Sequence, residues 1–240
     1  MGGQPRAAFL SLGLPAGLPQ SWVDRFLKGL LKIAEAFKVS LAGGDTAQSP
    51  DNILADIVVI GVAPRGRAIR RSGARPGDGI YVTGELGGSA ATLDLLSSGG
   101  KLRQRDFPQH FHPLPRINIG RFLLRHKLAS SMIDISDGLS TDLAHICDES
   151  GVGAEIQAEA IPRAIIGKPS RQVDLSFALH GGDDYELLFT AKPGRRIPAR
   201  IGGLPVTQIG KITRGQKIVL LNQLGIARQL RPQGWEHFRK

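Results

Sequence analysis

The chain has 240 residues, of which 41% are hydrophobic and 22% are charged, and these proportions are typical of a globular protein. This length allows one large domain or two smaller ones with a substantial core. Cys147 is the only cysteine, so an internal disulfide and a cysteine-rich metal site are excluded, and a cytoplasmic location is predicted. No apolar run in the sequence is long enough to cross a membrane.

A net charge of +10 and an isoelectric point near 10.3 are common among proteins that bind nucleic acids. The densest basic cluster consists of Arg65, Arg67, Arg70, Arg71 and Arg75. However, aromatic residues make up only 5% of the chain, and the sequence contains no recognisable nucleic-acid module. We therefore predict no nucleic-acid and no membrane partner. A basic surface also suits nucleotides or phosphate esters, and single arginines are most often simply hydrated.

The first part of the chain combines strand patterns with one clear amphipathic helix. Its predicted elements are strands at residues 7–14, 39–41 and 53–63 and a helix at residues 20–38. Ser21 followed by Asp24 resembles a capping box at the start of the helix. The second strand is predicted to end in a turn at Gly43, Gly44 and Asp45.

A second unit is predicted to begin near Ser72, where the sequence SGARPGDG is rich in turn-forming residues. Its predicted strands cover residues 80–83, 132–135, 154–158, 185–191, 206–212 and 217–221, with helices ending at residue 96 and covering 116–127 and 139–148. Strands and helices alternate without the regular repeat of a parallel doubly wound sheet. The sequence therefore predicts an α+β fold with two domains, residues 1–71 and 72–240.

Three acidic segments are predicted to follow the ends of apolar strands: LAGGDT at 41–46, MIDISDG at 132–138 and HGGDDYELLF at 180–189. Each has a purely structural alternative, because Gly-Gly-Asp is a common turn and an aspartate before a helix is often its N-cap. For Asp142, one turn into a helix, the structural alternative is preferred. Strand ends can meet in one cleft, however, and carboxylates in apolar surroundings require a partner such as a cation.

Oxygen ligands of this kind favour Mg²⁺, Mn²⁺ or Ca²⁺ over zinc. An EF-hand is excluded, because placing Gly138 at loop position six puts Ile133 where a carboxylate is required. Mg²⁺ often combines one or two carboxylates with substrate phosphates, so scattered aspartates indicate a nucleotide site. The chain contains neither a GxxxxGK[ST] phosphate loop nor the HRD and DFG signatures of protein kinases.

Five segments, taken together, resemble the thiamine-monophosphate kinase family in order and spacing. They are GGDT at 43–46, RRSGARPGDGIYVTGELGGSAA at 70–91, IDISDGLSTDLAHI at 133–146, GGDDYELLFT at 181–190 and GWEHF at 234–238. The resemblance implies the aminoimidazole ribonucleotide synthetase-like fold, with two α+β domains. It also implies that ATP and Mg²⁺ are used to convert thiamine monophosphate into thiamine diphosphate.

The resemblance further implies roles for particular residues. These are Gly44, Asp45, Arg71 and Ser136 for ATP, Asp45, Asp134 and Asp137 for Mg²⁺, and Asp183 and Trp235 for the thiamine phosphate. Some relatives carry glutamate at position 183. No nucleophilic side chain is implied, because the substrate phosphate can attack the γ-phosphate of ATP directly.

Simple geometry and chemistry are compatible with these roles. Asp134 and Ser136 share one face if their strand continues, and Gly138 allows a turn that brings Asp137 to them. The ring of Trp235 can stack on a cationic thiazolium, which contributes about 0.5–2 kcal/mol. The structural alternatives are that Arg71 is hydrated and Trp235 is only a packing anchor.

The matched region begins near Ala7, whereas family members have a preceding segment with a Gly-Asp-Asp turn, further metal-binding aspartates and strands of a dimer interface. The sequence therefore predicts an N-terminally truncated member whose activity and family-like homodimer depend on that segment. Two alternatives stay open. One is a non-catalytic remnant or binding module for nucleotide or thiamine phosphate, and the other is a related ATP-dependent enzyme with another small acceptor.

Overall fold

A computed structural model describes residues 1–235 of the chain. They form two compact units, which are described separately. The small unit is Gly3–Gly66, and the large unit is Met1–Gly2 together with the chain from Arg67 onward. The predicted α+β class is confirmed, because both units combine helices with sheets. The domain boundary after residue 71 stays a prediction.

The small unit is a three-stranded sheet with one long helix. Its elements are β1 (Gln4–Pro15), α1 (Gln20–Ala36), β2 (Ser40–Ser49) and β3 (Leu54–Val62). Their order in the sheet is β2-β1-β3, with β1 parallel to β2 and antiparallel to β3. A parallel pair needs a crossover connection, and α1 provides it. The helix forms as its apolar spacing predicts.

The predicted capping box at the start of α1 is wrong. The N-cap residue is Pro19, which has no side chain that could accept a hydrogen bond from the helix. Asp24 instead accepts a hydrogen bond from Gln20 Nε2 at 3.0 Å, one helical turn apart. Asp24 therefore pairs with a side chain of the first helical turn and does not reach back to the backbone of the cap.

The predicted turn at Gly43, Gly44 and Asp45 is also wrong, because β2 continues through these residues to Ser49. Pairing with β1 skips one residue, so Ala8 lies opposite Leu41 and Phe9 opposite Gly43. This irregularity brings Gly44, with φ +151°, so close to the backbone of Leu10 that a Cβ atom would overlap its carbonyl oxygen. Glycine is required here by close packing inside a sheet, not by a turn.

The small unit leaves much of its apolar surface accessible. Ala8, Leu10 and Leu12 are buried on one face of β1. On the opposite face, Phe9 pairs with Val58, and these side chains are 38% and 52% exposed. Apolar β-branched residues favour the strand, but they are normally covered when they lie side by side.

The large unit contains the remaining elements. The strands are β4 (Gly79–Thr83), β5 (Ser131–Ile135), β6 (Gly153–Gln157), β7 (Ile165–Ile166), β8 (Arg171–Gln172), β9 (Glu186–Ala191), β10 (Arg200–Ile201), β11 (Leu204–Thr213), β12 (Ile218–Leu221) and β13 (Ala227–Gln229). The helices are α2 (Gly88–Ser97), α3 (Pro108–Phe111), α4 (Ile117–Arg125), α5 (Leu139–Ser150) and α6 (Leu175–His180), with 3₁₀ turns at Gln104–Asp106 and Ala158–Ala160.

Eight of these strands form one sheet, in the order β13-β12-β6-β11-β4-β9-β5 with β10 beside β11. Alternate residues of its strands pack into two separate cores. In β5, Met132 belongs to the core that contains Leu123 of α4, whereas Ile133 and Ile135 belong to the core that contains Leu143 of α5. The sheet is therefore covered on both faces, and its two ends carry the loops.

Antiparallel pairing of β5 with β9 sets the position of the loop that follows β5 and of the segment that precedes β9. Asp134 lies opposite Leu187, and Ile135 lies opposite Glu186. The carboxyl end of β5 and the amino end of β9 consequently meet at one edge of the sheet. Among the described residues, no helix is long and apolar enough to cross a membrane.

Candidate functional site

Two of the three predicted acidic segments lie side by side in the large unit. The strand β5 ends at Ile135, one residue before Ser136, so Ser136 and Asp137 form a bend rather than a strand continuation. The segment before β9 is hydrogen-bonded to it: the amide of Asp183 donates to Ser136 O at 2.9 Å, and that of Tyr185 donates to Ile135 O at 2.8 Å. The segments that carry Asp134, Ser136, Asp137 and Asp183 are therefore adjacent, and their assignment to one binding site stays a prediction.

Glycines permit this close approach of the two backbones. Gly182 lies against the carbonyl of Ser136, where any Cβ atom would overlap the oxygen. Gly138 has φ +107°, and a Cβ atom on it would lie 2.9 Å from the carbonyl carbon of His180. Both positions require glycine, because a side chain would push the two acidic segments apart.

Asp142 holds the bend in place. Its Oδ2 accepts hydrogen bonds from the amides of Ser136 and Asp137, each at 3.1 Å. Only 1% of this residue is exposed, and burial raises the pKa of its carboxyl group to about 7, against the opposing effect of the two amides. Asp142 is thus a structural residue, as preferred from the sequence, but its particular contact was not foreseen.

The C-terminal GW dipeptide packs on the same bend. The amide of Trp235 donates to Asp137 O at 3.1 Å, and the amide of Gly234 donates to Thr141 Oγ1 at 3.1 Å. A Cβ atom on Gly234 would overlap Asp137 O. Trp235 itself is 66% exposed. The last three residues of the motif GWEHF lie outside the described residues.

Asp184 and Glu186 were not predicted as site residues. Their buried carboxylates hold the start of β9 through hydrogen bonds to other parts of the large unit. Asp184 Oδ2 accepts the amide of Gly87 at 2.7 Å, at the positive end of α2. Burial raises the pKa of Asp184 to about 7 although this amide and that of Ser89 lower it. Within the described part of the chain, Asp184 Oδ1 makes no hydrogen bond of good geometry.

Glu186 forms a buried ion pair with Arg116, which precedes α4. Arg116 Nε lies 2.9 Å from Oε2 and its terminal nitrogen 2.6 Å from Oε1, while Thr83 Oγ1 donates to Oε2 at 2.5 Å. The carboxylate is therefore held on both oxygens. The partners are 70 and 103 residues away from Glu186 in sequence, so no local pattern could have indicated them.

The donor atoms of the site suit an oxygen-preferring cation. Asp134 and Asp137 offer carboxylates at the end of β5, which fits Mg²⁺, Mn²⁺ or Ca²⁺. Asp137, Asp142 and His145 also bring one ligand atom each within 4.8 Å of one another. This triplet fits Mg²⁺ less well, because it includes an imidazole and because Asp142 already accepts two amide hydrogen bonds.

Three predicted ATP or metal residues belong to other segments of the chain. Gly44 and Asp45 belong to β2 of the small unit, where Asp45 Oδ1 accepts the amide of Thr46 at 2.8 Å. Arg71 is exposed and lies beside the amino end of β5, because the neighbouring Arg70 O accepts the amide of Met132 at 2.9 Å. Arg71 thus lies near the opposite end of β5 from Asp137, and the strand is ~13 Å long at 3.3 Å per residue.

Comparison with known proteins first defines the class. The model of the AIR synthase related protein N-terminal domain matches residues 1–63, and that of the C-terminal domain matches residues 75–221. The fold and the site therefore define a two-domain AIR synthase related protein, which confirms the predicted fold.

Individual relatives are more specific. The thiamine-monophosphate kinase of Salmonella typhimurium is 36% identical over 99% of this chain and 75% of its own length, and that of Escherichia coli K12 is 37% identical over the same shares. A solved structure described as AaThiL complexed with AMPPCP and TMP has a TM-score of 0.85 and 33% identity, covering 99% of this chain and 75% of that one. The chain belongs to the thiamine-monophosphate kinase family, and it spans about three quarters of the length of these relatives.

Proposed function

We propose that this chain catalyses the ATP-dependent phosphorylation of thiamine monophosphate to thiamine diphosphate. The observation that carries the proposal is the meeting of the segments around Asp134, Asp137, Asp183 and Trp235 at one edge of the large unit. In this proposal, that edge supplies both metal-binding carboxylates and substrate contacts.

The residues proposed to bind ATP are those that the family resemblance implies. They are Arg71 and Ser136 of the large unit and, taken separately, Gly44 and Asp45 of the small unit. Asp134 and Asp137 of the large unit, and separately Asp45 of the small unit, are the residues that would hold Mg²⁺, whose oxygen preference matches their carboxylates. When bound, Mg²⁺ neutralises charge on the phosphate oxygens and orients them.

The reaction needs no nucleophilic side chain. A terminal oxygen of the thiamine phosphate attacks the γ-phosphorus of ATP, the bond between that phosphorus and the β,γ-bridging oxygen breaks, and ADP leaves. Phosphoryl transfer depends mainly on positioning and on charge neutralisation. The chain contributes by fixing Ser136 and Asp137 through Asp142, and by fixing Asp183 through its backbone hydrogen bond to Ser136.

The thiamine side of the reaction involves Asp183 and Trp235. Thiamine monophosphate carries a cationic thiazolium ring and an aminopyrimidine ring with N–H donors. A carboxylate at Asp183 accepts such donors and complements the positive charge. The indole of Trp235 offers a flat face for stacking on a cationic ring.

A direct test is to incubate the purified chain with ATP, Mg²⁺ and thiamine monophosphate and to follow the phosphates by ³¹P NMR. We expect thiamine diphosphate and ADP to accumulate together in equal amounts, with no reaction when thiamine monophosphate is left out. Formation of ADP only with a different small phosphate acceptor would instead support the related-enzyme alternative. Binding of thiamine monophosphate by calorimetry without any turnover would support the binding-module alternative.

We also propose that two copies of this chain associate through the small unit. The proposal is supported by the exposed apolar face of its sheet, where Phe9, Val58 and Ile60 are 38%, 52% and 52% exposed. A second copy would cover these side chains with equivalent ones. A cytoplasmic location stays a prediction, supported by the presence of a single cysteine in the sequence.

A further inference from the structure

The segment before β9 adopts an unusual backbone. Asp183 and Tyr185 have φ values of +62° and +52°, a left-handed region that residues other than glycine rarely adopt. Each of these two residues donates its amide to the end of β5, to Ser136 O and Ile135 O respectively. The surrounding structure therefore imposes this conformation on both residues.

One result of this backbone is a contact between their side chains. The hydroxyl of Tyr185 donates to Asp183 Oδ1 at 2.8 Å. In an extended segment, residues i and i+2 share a face. Asp183 and Tyr185 also share a face here, because the intervening Asp184 is turned inward to the start of α2. Asp183 and Tyr185 are left on the solvent side, with Tyr185 41% exposed.

The phenol of Tyr185 is not explained by packing. Its ring is absent from the three hydrophobic cores among the described residues, and those cores include Tyr81, the other tyrosine of the chain. Burial, together with the hydrogen bond to Asp183 and the nearby charges of Asp134 and Asp137, raises the pKa of Tyr185 to about 12. The hydroxyl is therefore protonated, and able to donate, throughout the neutral pH range.

We propose that Tyr185 is a positioning residue that holds the exposed Asp183 carboxylate in one orientation for the cationic end of the thiamine substrate. The proposal rests on the function proposed above. An exposed aspartate without such a partner rotates freely and loses conformational entropy when it binds a ligand. The hydrogen bond from Tyr185 orders Asp183 beforehand, so less free energy is lost on binding.

The first measurement tests the contact without any need for turnover. The chain is labelled with ¹³C at the tyrosine Cζ, which gives two resonances that Tyr81→Phe assigns. We expect Asp183→Asn to shift the Tyr185 resonance upfield, because its hydroxyl then donates to a neutral amide, and to leave the Tyr81 resonance unchanged. An unchanged Tyr185 resonance would overturn the proposal, whether or not the chain is a kinase.

The second measurement tests the consequence. We expect Tyr185→Phe to raise the KM for thiamine monophosphate about three- to tenfold, the effect of ordering one side chain, that of Asp183, only when the substrate binds, with kcat and the KM for ATP unchanged. Tyr81→Phe is the matched control, because it removes only a 3.1 Å hydrogen bond to Gln208 and keeps the stacking on Phe189. In Asp183→Asn, the additional change Tyr185→Phe should have little further effect.

These outcomes separate the two proposals. A wild-type KM in Tyr185→Phe, or full additivity with Asp183→Asn, would overturn the positioning role while leaving the kinase proposal intact. Absence of turnover in the wild-type chain would overturn the kinase proposal and with it the substrate role of Tyr185, whereas the NMR shift would still decide whether the contact exists.

Discussion

The two units of this chain place their predicted site residues in different ways. In the large unit, the segments around Asp137 and Asp183 are joined by backbone hydrogen bonds and by glycines that fit against carbonyl groups. In the small unit, Asp45 lies in the middle of an exposed strand, and the sheet around it leaves Phe9 and Val58 accessible. The large unit thus joins its acidic segments through its own backbone contacts, whereas the small unit leaves apolar side chains of its sheet accessible.

The largest expected effect concerns the ion pair between Arg116 and Glu186. The substitution Arg116→Met leaves the Glu186 carboxylate buried without its partner, which costs about 3–5 kcal/mol in the free energy of unfolding. Arg121→Met on the exposed face of α4 is the control and should change it by less than about 0.5 kcal/mol. Urea denaturation measures both. Equal stability of the two variants would show that the ion pair is not needed.

A smaller effect is expected from adding one methyl group at the contact between the acidic segments. Gly182→Ala should lower the free energy of unfolding by about 1–3 kcal/mol and reduce turnover, because the new Cβ meets the carbonyl of Ser136. Gly29→Ala in α1 meets nothing within 4 Å and should stabilise the helix by about 0.5–1 kcal/mol. Thermal unfolding and activity of the pair measure the difference. If Gly182→Ala were as active and stable as the wild type, the close contact would be unimportant.

The proposed association of two copies is tested by placing a charge on the exposed sheet of the small unit. Val58→Asp should shift the chain from dimer to monomer in sedimentation experiments, because burying an unpaired carboxylate in an interface is unfavourable. Leu224→Asp, at a site 82% exposed in the large unit, is the control and should leave the association state unchanged. A wild-type chain that is monomeric at high concentration would contradict the proposed association.

The smallest expected effect is a pH dependence due to Asp184. Its pKa in the folded state is about 7, above the ordinary value of 3.8, so the folded chain binds more protons than the unfolded chain between these values. Stability associated with this group is therefore full below about pH 4 and is lost as pH rises towards 7. Relative to Asp184→Asn, the wild type should lose roughly 1 kcal/mol between pH 6 and pH 8. A constant difference across this range would show that Asp184 does not titrate there.

Much of the fold was predictable because its signals are local. The apolar spacing of residues 20–38 and the short apolar run before Asp134 indicated a helix and a strand, and both form. The family and its two-domain fold followed from five motifs in a fixed order. The short helix α6 was missed, because only six residues form it and they carry no periodic pattern.

Other features were not predictable because they depend on distant backbone. Gly43 and Gly44 resemble a turn in sequence, yet contact with Leu10 makes them part of a strand. The capping of α2 by Asp184 joins residues 97 positions apart. The roles assigned to Gly44, Asp45, Arg71, Ser136, Asp134, Asp137, Asp183 and Trp235 stay predictions, and experiment has to test them.

The most direct test of the central claim is the kcat/KM for thiamine monophosphate in Asp134→Asn and Asp137→Asn, measured over a range of Mg²⁺ concentrations. Asp148→Asn, an exposed carboxylate near the far end of α5, is the matched control. We expect each site variant to lose at least about 100-fold, or about 2.7 kcal/mol of transition-state stabilisation, and to need more Mg²⁺ for half-maximal rate, while the control keeps the wild-type rate. Wild-type rates in both site variants would contradict an active site at the meeting of β5 and β9.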